Sequence, residues 1–326
     1  MNHPTVSVMM AIYNASAYLH EAIDSILTQT FSDFEFIIVD DGSTDGSDGI
    51  VRSYDDPRIQ LIQNEHSGLV TSLNLAMSHA RGRYVARMDG DDRAMPQRFE
   101  CQVARLESDA AVDIVCTDVF IIDGEGKRTG QQTQPGLDND LVRDALLHRR
   151  QAKPIIHPSV MMRREVMDAL GGYRRFDCAE DHDLWLRAVD RFTFARLEER
   201  LLEYRIHGGG ISRTKALDQI VSSVMSEVDY LISMRTGLSV FERRPDVFRR
   251  FSETAREKIS TIVLPRTMAF RRGRQYIRDG HRLYGGLTLL SALVRYGPSI
   301  MPRRIDARLR DMAVELADLC ESSMME

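Results

Sequence analysis

The chain has 326 residues, of which 43% are hydrophobic and 28% are charged, and its formal net charge is −5. At about 100–200 residues per domain, this length predicts about two domains, each able to bury a core. The apolar fraction excludes a disordered chain. No apolar run approaches the ~18 residues that a membrane-spanning helix needs. A hydrophobic strand begins close to the first residue, so we expect no secretory signal.

The cysteines and the distribution of charge narrow the class of protein further. The four cysteines stand far apart without a CxxC pair, which argues against structural zinc or a disulfide framework. This pattern predicts that the protein resides in a reducing cytosol. Residues 241–310 carry 17 lysines and arginines against 6 acidic residues, a charge of +11, and the rest of the chain carries −16. The sequence therefore divides into an acidic body and a basic late segment.

The first third alternates between strands and helices. Ser16 is the predicted N-cap of the first helix, because apolar residues follow it at helical spacing. The predicted strands are 6–11, 34–39, 59–63 and 84–88. Helices are predicted over 16–27 and 69–80, and a short helix that ends at residue 54 is predicted between the second and third strands. Such alternation with short connections predicts an α/β fold with a mainly parallel sheet and helices on both faces.

The middle third is more mixed, and the last third is helical. Strands are predicted over 112–116, 119–122, 155–162, 194–197 and 201–205, and helices over 138–148 and 181–189. From about Thr214 the pattern is helical nearly to the end, with interruptions at prolines and glycines.

Polar clusters follow three of the predicted strands, at residues 11–14, 40–43 and 89–92. In open α/β sheets, ligands bind beyond the carboxyl ends of the strands. These three clusters are therefore the candidate binding residues.

The third cluster is an acidic turn, which contains Asp89, Asp91 and Asp92. Carboxylates this close repel one another, and Mg²⁺ or Mn²⁺ supplies the compensating charge in many proteins. A solvated acidic turn that caps the next helix is the alternative, and the turn taken alone favours it.

The other two clusters suit a nucleoside. Asp40 and Asp41 could accept hydrogen bonds from a ribose or a base edge, and Tyr13 could stack on a planar base. The alternatives are a turn that caps the following helix, and an aromatic side chain that only packs.

Two later motifs add candidate chemistry. Glu180 and Asp181 precede a helix, and one of them could act as a general base on a substrate hydroxyl. Asp181 is equally suited to cap that helix. His207 closes a strand before three glycines and could ligate a metal or contact a diphosphate, or it is only a polar loop residue.

Taken in order, these segments resemble glycosyltransferase family 2, the inverting sugar-nucleotide transferases with the GT-A fold, of the bacterial surface-polysaccharide type. The resemblance covers about residues 4–213. The matching segments are VSVMMAIYN at 6–14, FEFIIVDDGSTDGS at 34–47, ARGRYVARMDGDD at 80–92, HPSVMMRR at 157–164, GGYRRFDCAEDHDLWLRA at 171–188 and YRIHGGGIS at 204–212.

The resemblance implies a fold and a domain organisation. The fold would be GT-A, a Rossmann-like, mainly parallel sheet with flanking helices, followed by a C-terminal helical region. Residues 1–115 would form the nucleotide-sugar-binding half of the GT-A domain and residues 116–213 the acceptor-binding half. Residues 214–326 would form the helical region.

The resemblance also assigns roles to particular residues. The nucleotide-binding residues would be Ala11, Tyr13, Asp40, Asp41 and Asp89. The metal ligands would be Asp91, Asp89 and His207, and the metal would be Mn²⁺ or Mg²⁺. The catalytic residues would be Asp181, as general base, and its neighbour Glu180. Ala11 stands where many relatives have threonine, which removes a hydroxyl near the base.

The implied function is metal-assisted transfer of a sugar from a nucleotide-sugar, by default a UDP-sugar, to a hydroxyl of a glycan or lipid-linked saccharide. We expect no nucleic-acid partner. The expected location is the cytoplasm, with peripheral contact at the inner face of the plasma membrane through residues 241–310, or a homodimer contact through the same helices. A sugar-1-phosphate nucleotidyltransferase and a non-catalytic partner in a polysaccharide-assembly complex are the rival interpretations.

Overall fold

The computed structural model describes residues 3–133, 139–148, 155–176, 178–210, 214–260 and 302–324. The chain forms two compact units. The first consists of Met1–Arg143, Pro154–Arg175 and Arg187–Gly210, and the second of Asp144–Lys153, Phe176–Leu186 and Ile211–Glu326. The division into 1–115, 116–213 and 214–326 stays a prediction.

The first unit is built on a sheet whose strands alternate with helices. The strands are β1 (Val6–Ile12), β2 (Phe34–Asp40), β3 (Ile59–Gln63), β4 (Tyr84–Asp89), β5 (Arg93–Ala94), β6 (Ile114–Ile122), β7 (Arg128–Gln132), β8 (Met161–Arg163) and β9 (Phe194–Arg205). The helices are α1 (Leu19–Leu27), α2 (Ser47–Arg52), α3 (Leu69–His79), α4 (Arg98–Ser108), α5 (Asn139–His148), α6 (Arg164–Leu170) and α7 (Glu180–Ala188). Helices α5 and α7 contribute residues to both units.

The strand order in the sheet is β3-β2-β1-β4-β8-β6-β9-β5, and β7 pairs with β6. The pairs β3–β2, β2–β1 and β1–β4 are all parallel, and β6 is parallel to β9. The short strand β8 lies antiparallel between β4 and β6. Because β1, β2 and β4 are parallel, the polar clusters that follow them lie at one edge of the sheet.

Burial explains why the first third of the chain was predictable. Strand β2 is buried at every position and β1 at all but one, as their continuous apolar runs require. Helix α1 buries Leu19, Ala22, Ile23 and Ile26, which recur at helical spacing. The predicted α/β class with a mainly parallel sheet is confirmed.

The predicted N-cap at Ser16 is wrong. Helix α1 begins at Leu19, and Tyr18 occupies the N-cap position without a capping side-chain bond. The backbone N–H of Ser16 instead donates to Asp45 Oδ2 at 2.9 Å. The loop after β1 therefore bonds to the loop after β2.

Two predicted pairs of short strands are single strands. The segments 112–116 and 119–122 join in β6, and 194–197 and 201–205 join in β9. Register shifts around Asp118 accommodate the extra residues of β9. Asp118, which interrupts the apolar pattern of β6, is paired inside the sheet, where Nε of Arg196 donates to its Oδ1 at 2.8 Å.

The predicted strand over 155–162 is also wrong for most of its length. His157–Ser159 form a 3₁₀ helix, and only Met161–Arg163 pair as β8. Pro158 has no N–H to donate to a ladder. The hydroxyl of Ser159 donates to the carbonyl of Ile156 at 2.7 Å, which stabilises the turn.

The second unit is helical, as the sequence predicts for the residues after 214. Besides the first turns of α7 it contains α8 (Ala216–Thr236), α9 (Val240–Arg243), α10 (Pro245–Lys258) and α11 (Pro302–Met324). Its core joins the buried faces of these helices, with Val228 and Ile232 of α8 and Leu316 of α11 fully buried. None of the helices that the structure describes combines the length and apolar character that crossing a bilayer requires.

The basic segment 241–310 is described only in part. Residues 261–301, with the apolar run 285–294, lie outside the described residues. Within the described part, Arg256 pairs with Asp218 of α8 at 2.7 Å, and Lys258 pairs with Glu315 of α11 at 2.7 Å. These two basic side chains therefore have acidic partners inside the helical unit.

Candidate functional site

The acidic turn follows β4 and brings three carboxylates together. One ligand oxygen from each of Asp89, Asp91 and Asp92 lies within 4.8 Å of the other two. The side chains of Asp89 and Asp91 are partly exposed, whereas Asp92 is buried. Among the described residues, Oδ2 of Asp92 has no hydrogen-bond partner. This cluster therefore offers several carboxylate oxygens to a cation.

Burial and mutual repulsion disfavour the ionised forms of two of these groups. Burial raises the pKa of Asp91, the charge of Asp89 raises it further, and the contact with His207 opposes the shift. Burial likewise raises the pKa of Asp92 well above its ordinary value, and the charges of Asp91 and Asp89 add to this effect. A hard divalent cation fits this donor set, because it would balance the carboxylates and favour their ionised forms.

His207 reaches the acidic turn from the end of β9. Its Nε2 lies 3.0 Å from Oδ2 of Asp91, and its ring meets that of Tyr18 edge-on, with 4.9 Å between the ring centroids. The structure therefore brings His207 into contact with Asp91, whereas the ligand atoms that all lie within 4.8 Å of one another belong to Asp89, Asp91 and Asp92.

Buried arginines surround the acidic turn, and the sequence analysis did not single them out. Arg87 pairs with Asp89, and Arg98 donates to the carbonyl of Arg87 at 2.9 Å. Burial lowers the pKa of Arg98 to about 9. The backbone N–H of Arg205 donates to Asp92 Oδ1 at 2.7 Å. Arg87 could have been found from the sequence, because it is a charged residue inside the otherwise apolar run of β4.

The predicted nucleoside residues lie beside the acidic turn. Ala11 of β1 is the register partner of Asp89 on one side and of Val39 on the other. Asp40, the last residue of β2, is the register partner of Ile12. The sheet therefore brings the first two polar clusters to the edge that carries the acidic turn.

Asp41 organises the loop that leads into α3. Its Oδ1 accepts hydrogen bonds from the N–H of Ser67 and the hydroxyl of Ser72, both at 2.9 Å, and its Oδ2 accepts from the N–H of Gly68 at 2.9 Å. Asp40 is also buried and accepts from the N–H of Ser43 at 3.1 Å. Both carboxylates therefore hold loop backbone at the sheet edge.

Tyr13 presents an aromatic ring at this edge. It is 48% exposed and stacks on His66, with 4.1 Å between the ring centroids. The Nδ1 of His66 lies 3.1 Å from the backbone oxygen of Asp41. A planar ligand can therefore stack on the ring of Tyr13, which the ring of His66 holds in place.

The loops after β1 and β2 are joined by reciprocal hydrogen bonds. Asn14 N–H donates to Ser43 Oγ at 2.9 Å, and its Oδ1 accepts from Thr44 N–H at 2.8 Å. Asp45 accepts from Ser16 N–H and from the hydroxyl of Ser47. Burial acts against the ionised form of Asp45, but these bonds outweigh it and lower the pKa to about 2.

Glu180 and Asp181 lie in the first turn of α7, within the second compact unit, whereas the other predicted site residues lie in the first. Glu180 is buried, and Asp181 Oδ1 accepts from the N–H of His182 at 2.8 Å. His182 in turn pairs with the buried Glu227 of α8 at 3.5 Å. The predicted helix start at these residues is confirmed, and their catalytic role stays a prediction.

A sheet of this kind, with clustered carboxylates beyond its parallel strands, fits the GT-A fold that the resemblance implies. Residues 7–171 match the family model described as glycosyl transferase family 2. The chain belongs to glycosyltransferase family 2, and it is an enzyme of the glycosyltransferase class.

Named relatives agree with this assignment. The Bacillus subtilis protein EpsE is 37% identical over 230 residues, which cover 68% of this chain and 80% of EpsE. The Escherichia coli O-antigen biosynthesis glycosyltransferase WbnJ is 32% identical over 213 residues, which cover 62% of this chain and 80% of WbnJ.

Solved structures share the fold at low identity. Residues 1–349 of S. aureus TarS in complex with UDP-GlcNAc superpose with a TM-score of 0.58 at 18% identity, covering 98% of this chain and 91% of that one. The mannosyltransferase PcManGT from Pyrobaculum calidifontis, in complex with GDP-Man and Mn²⁺, gives a TM-score of 0.53 at 18% identity, covering 100% of this chain and 89% of that one. The expected GT-A fold is confirmed.

Proposed function

We propose that this enzyme transfers a sugar from a nucleotide-sugar, with a UDP-sugar as the default donor, to a hydroxyl of a glycan or lipid-linked saccharide, with inversion at the sugar carbon. The observation that carries the proposal is the acidic turn, whose three carboxylates lie within 4.8 Å at the edge that also carries Tyr13 and Asp41. The donor class is supported by the UDP-GlcNAc and GDP-Man complexes of proteins with this fold. The acceptor class is supported by the O-antigen role in the name of WbnJ.

A divalent metal, Mn²⁺ or Mg²⁺, belongs to this proposal. Asp89, Asp91 and His207 would hold it, since Asp89 and Asp91 belong to the carboxylate cluster and His207 Nε2 contacts Asp91. When bound, such a metal neutralises the charge that develops on a departing diphosphate. The Mn²⁺ complex of PcManGT supports this assignment.

The chain's own residues would bind the donor and move one proton. Tyr13 would stack on the base, while Asp40 and Asp41 keep the loops around it in shape. Asp181 would take the proton from the acceptor hydroxyl as its oxygen bonds to the sugar carbon, and the bond from that carbon to the diphosphate oxygen breaks. Attack from the face opposite the leaving group inverts the configuration. Glu180 is the second predicted catalytic carboxylate, beside Asp181.

The general base is tested by Asp181→Asn. We expect transfer to fall by at least about a hundredfold, in line with the contribution of general base catalysis, while nucleotide binding stays within about twofold, because the amide keeps the shape of the side chain. Asp168→Asn on the exposed face of α6 is the matched control for loss of one negative charge. Equal loss of transfer and nucleotide binding would contradict the assignment of Asp181.

The metal assignment is tested by Asp91→Asn. We expect weaker Mn²⁺ binding, measured by calorimetric titration with MnCl₂, together with weaker binding of UDP in the presence of Mn²⁺. Asp109→Asn, an exposed carboxylate after α4, is the control. Binding of the nucleotide-sugar that is unchanged by EDTA would contradict the metal role.

Peripheral contact with the inner face of the plasma membrane and a homodimer stay parts of the proposal. The +11 charge of residues 241–310 supports contact with anionic lipid. Flotation with vesicles of phosphatidylcholine, with and without phosphatidylglycerol, tests it at low salt. Absence of binding to both kinds of vesicle would contradict membrane contact, and light scattering would give the oligomeric state.

A further inference from the structure

Arg205 is a buried cation directly behind the acidic turn. It is the last residue of β9, and its side chain is 0% exposed. A guanidinium group that is removed from water needs hydrogen-bond partners and opposite charge. The partners that Arg205 has in this structure indicate its role.

The near side of Arg205 contacts two consecutive residues of the acidic turn. Its backbone N–H donates to Oδ1 of Asp92 at 2.7 Å. Its side-chain Nε donates to the backbone oxygen of Asp91 at 2.6 Å. One residue therefore fixes the side chain of Asp92 and the peptide group between Asp91 and Asp92.

The far side of Arg205 is held by other elements. Its Nη2 donates to Oε2 of Glu21, on α1, at 2.7 Å, and its Nη1 donates to the carbonyl of Asp123 at 3.2 Å. The guanidinium carbon also lies 4.4 Å from the ring centroid of Tyr18. These contacts fix the orientation of the guanidinium group before any ligand is present.

The acidic turn needs such support, because three carboxylates within 4.8 Å repel one another. An arginine side chain has donors only, so Arg205 cannot be a metal ligand. A positive charge behind the turn and two short hydrogen bonds into it keep the carboxylates together in the free enzyme.

We propose that Arg205 is a positioning residue that fixes the backbone of the acidic turn for cation binding, and that Glu21 holds Arg205 in place. The proposal rests on the metal-binding role assigned to this turn under the proposed function. It adds two residues, from α1 and β9, that act on the metal site without touching the metal.

The first test is Arg205→Lys, which keeps the charge but cannot make the same set of bonds. We expect Mn²⁺ binding, titrated with MnCl₂ alone, to weaken by about 10- to 100-fold, as loss of a group that orients metal ligands does elsewhere. The matched control is Arg128→Lys. Arg128, on β7, pairs with Glu203 at 2.7 Å, and its replacement should change Mn²⁺ binding by less than about twofold, since this pair lies outside the acidic turn. Equal Mn²⁺ affinity of folded Arg205→Lys and the wild type would overturn the proposal.

The second test does not depend on metal or on activity. Amide hydrogen exchange of residues 89–93 in the metal-free protein should be faster in Arg205→Lys than in the wild type and in Arg128→Lys. Unchanged exchange in Arg205→Lys would overturn the positioning role. If the wild type does not bind Mn²⁺, the metal part of the proposed function is wrong, and faster exchange would still support the positioning of the turn.

Glu21→Gln keeps the proposal testable if Arg205→Lys does not fold. Glu21 is 46% exposed, so its replacement should leave folding intact. We expect a smaller loss of Mn²⁺ affinity in the same direction, with faster exchange in residues 89–93. Wild-type behaviour in both measurements would overturn the role of Glu21.

Discussion

His207 Nε2 lies 3.0 Å from Asp91 Oδ2, although 116 residues separate them in the chain. The contact joins the turn after β4 to the end of β9. The partly exposed carboxylate and the imidazole therefore form a contact that neither segment supplies alone.

We expect His207→Gln to weaken Mn²⁺ binding by about tenfold or more, because it removes the imidazole that contacts Asp91. Calorimetric titration with MnCl₂ measures the change. His79→Gln, an exposed histidine at the end of α3, is the control and should have no effect. Unchanged Mn²⁺ affinity in His207→Gln would mean that His207 only supports Asp91 through a hydrogen bond that glutamine replaces.

Tyr13 gives a prediction for donor binding. Stacking of a base on an aromatic side chain contributes about 1–3 kcal/mol, so Tyr13→Ala should weaken UDP binding by about 5- to 150-fold. Tyr13→Phe keeps the ring and its stack on His66, and should bind UDP nearly as the wild type does. Equal UDP affinity in all three proteins would rule out stacking on this ring.

Glu35 couples folding to pH. It accepts hydrogen bonds from the hydroxyl of Ser7 at 2.6 Å and from the backbone N–H of Arg81 at 2.7 Å, and it pairs with the Arg81 guanidinium. Burial raises the pKa of Glu35, but these contacts outweigh it, so the pKa lies below the ordinary value of 4.5. The stabilisation is therefore present above about pH 4.5 and is lost as the pH falls through the lowered pKa.

We expect Glu35→Gln to lower the free energy of unfolding at pH 7 by about 1–3 kcal/mol, the range for hydrogen bonds to a charged group. The difference from the wild type should shrink between pH 5 and pH 3, as urea unfolding at several pH values would measure. Glu107→Gln, whose exposed pair with Arg83 spans 3.4 Å, is the control and should cost less than about 1 kcal/mol. A difference that stays constant down to pH 3 would contradict the lowered pKa.

Two adjacent glycines separate backbone strain from a steric clash. Gly171 and Gly172 have φ values of +69° and +77°. A Cβ on Gly171 would meet no heavy atom of the described residues within 4 Å, whereas a Cβ on Gly172 would lie 2.6 Å from Oδ1 of Asn74. That oxygen accepts from the N–H of Tyr173 at 2.9 Å.

We expect Gly171→Ala to lower the free energy of unfolding by about 1–2 kcal/mol, through backbone strain alone. Gly172→Ala should lower the free energy of unfolding by about 1–2 kcal/mol more than Gly171→Ala does, because Asn74 must also give up its hydrogen bonds to Tyr173. Urea unfolding of both variants measures the difference. Equal losses would show that Asn74 moves without consequence.

The sequence was sufficient for the elements that bury continuous apolar runs. Strands β1, β2 and β4 extend by one residue each beyond the predicted bounds, because their runs end at polar clusters. Strand β3, which alternates and is only partly buried, has the predicted bounds. The long strands β6 and β9 were predicted as fragments. The reason is that polar residues interrupt the apolar pattern of both strands, with Thr117 and Asp118 in β6 and with Glu198, Glu199 and Arg200 in β9.

The candidate site was predictable where a residue type and a strand end coincide, as at Asp41 and Asp91. Residues that act through distant contacts were not. Arg205 and Glu21 are 184 residues apart and meet only in the folded chain. A single sequence contains no local pattern for such a pair, so the support behind the acidic turn emerged only from the structure.

The hydrogen bonds between the loops after β1 and β2 bear on the thermodynamics of donor binding. Asn14 bonds to both Ser43 and Thr44 in the free enzyme, and Asp45 adds a second link through Ser16. A nucleoside that enters there meets walls that are already ordered, so little conformational entropy is lost on binding. We therefore expect discrimination between donor bases to reside in the fit of a preorganised cradle, with small changes in the mobility of these loops between the free and the bound enzyme.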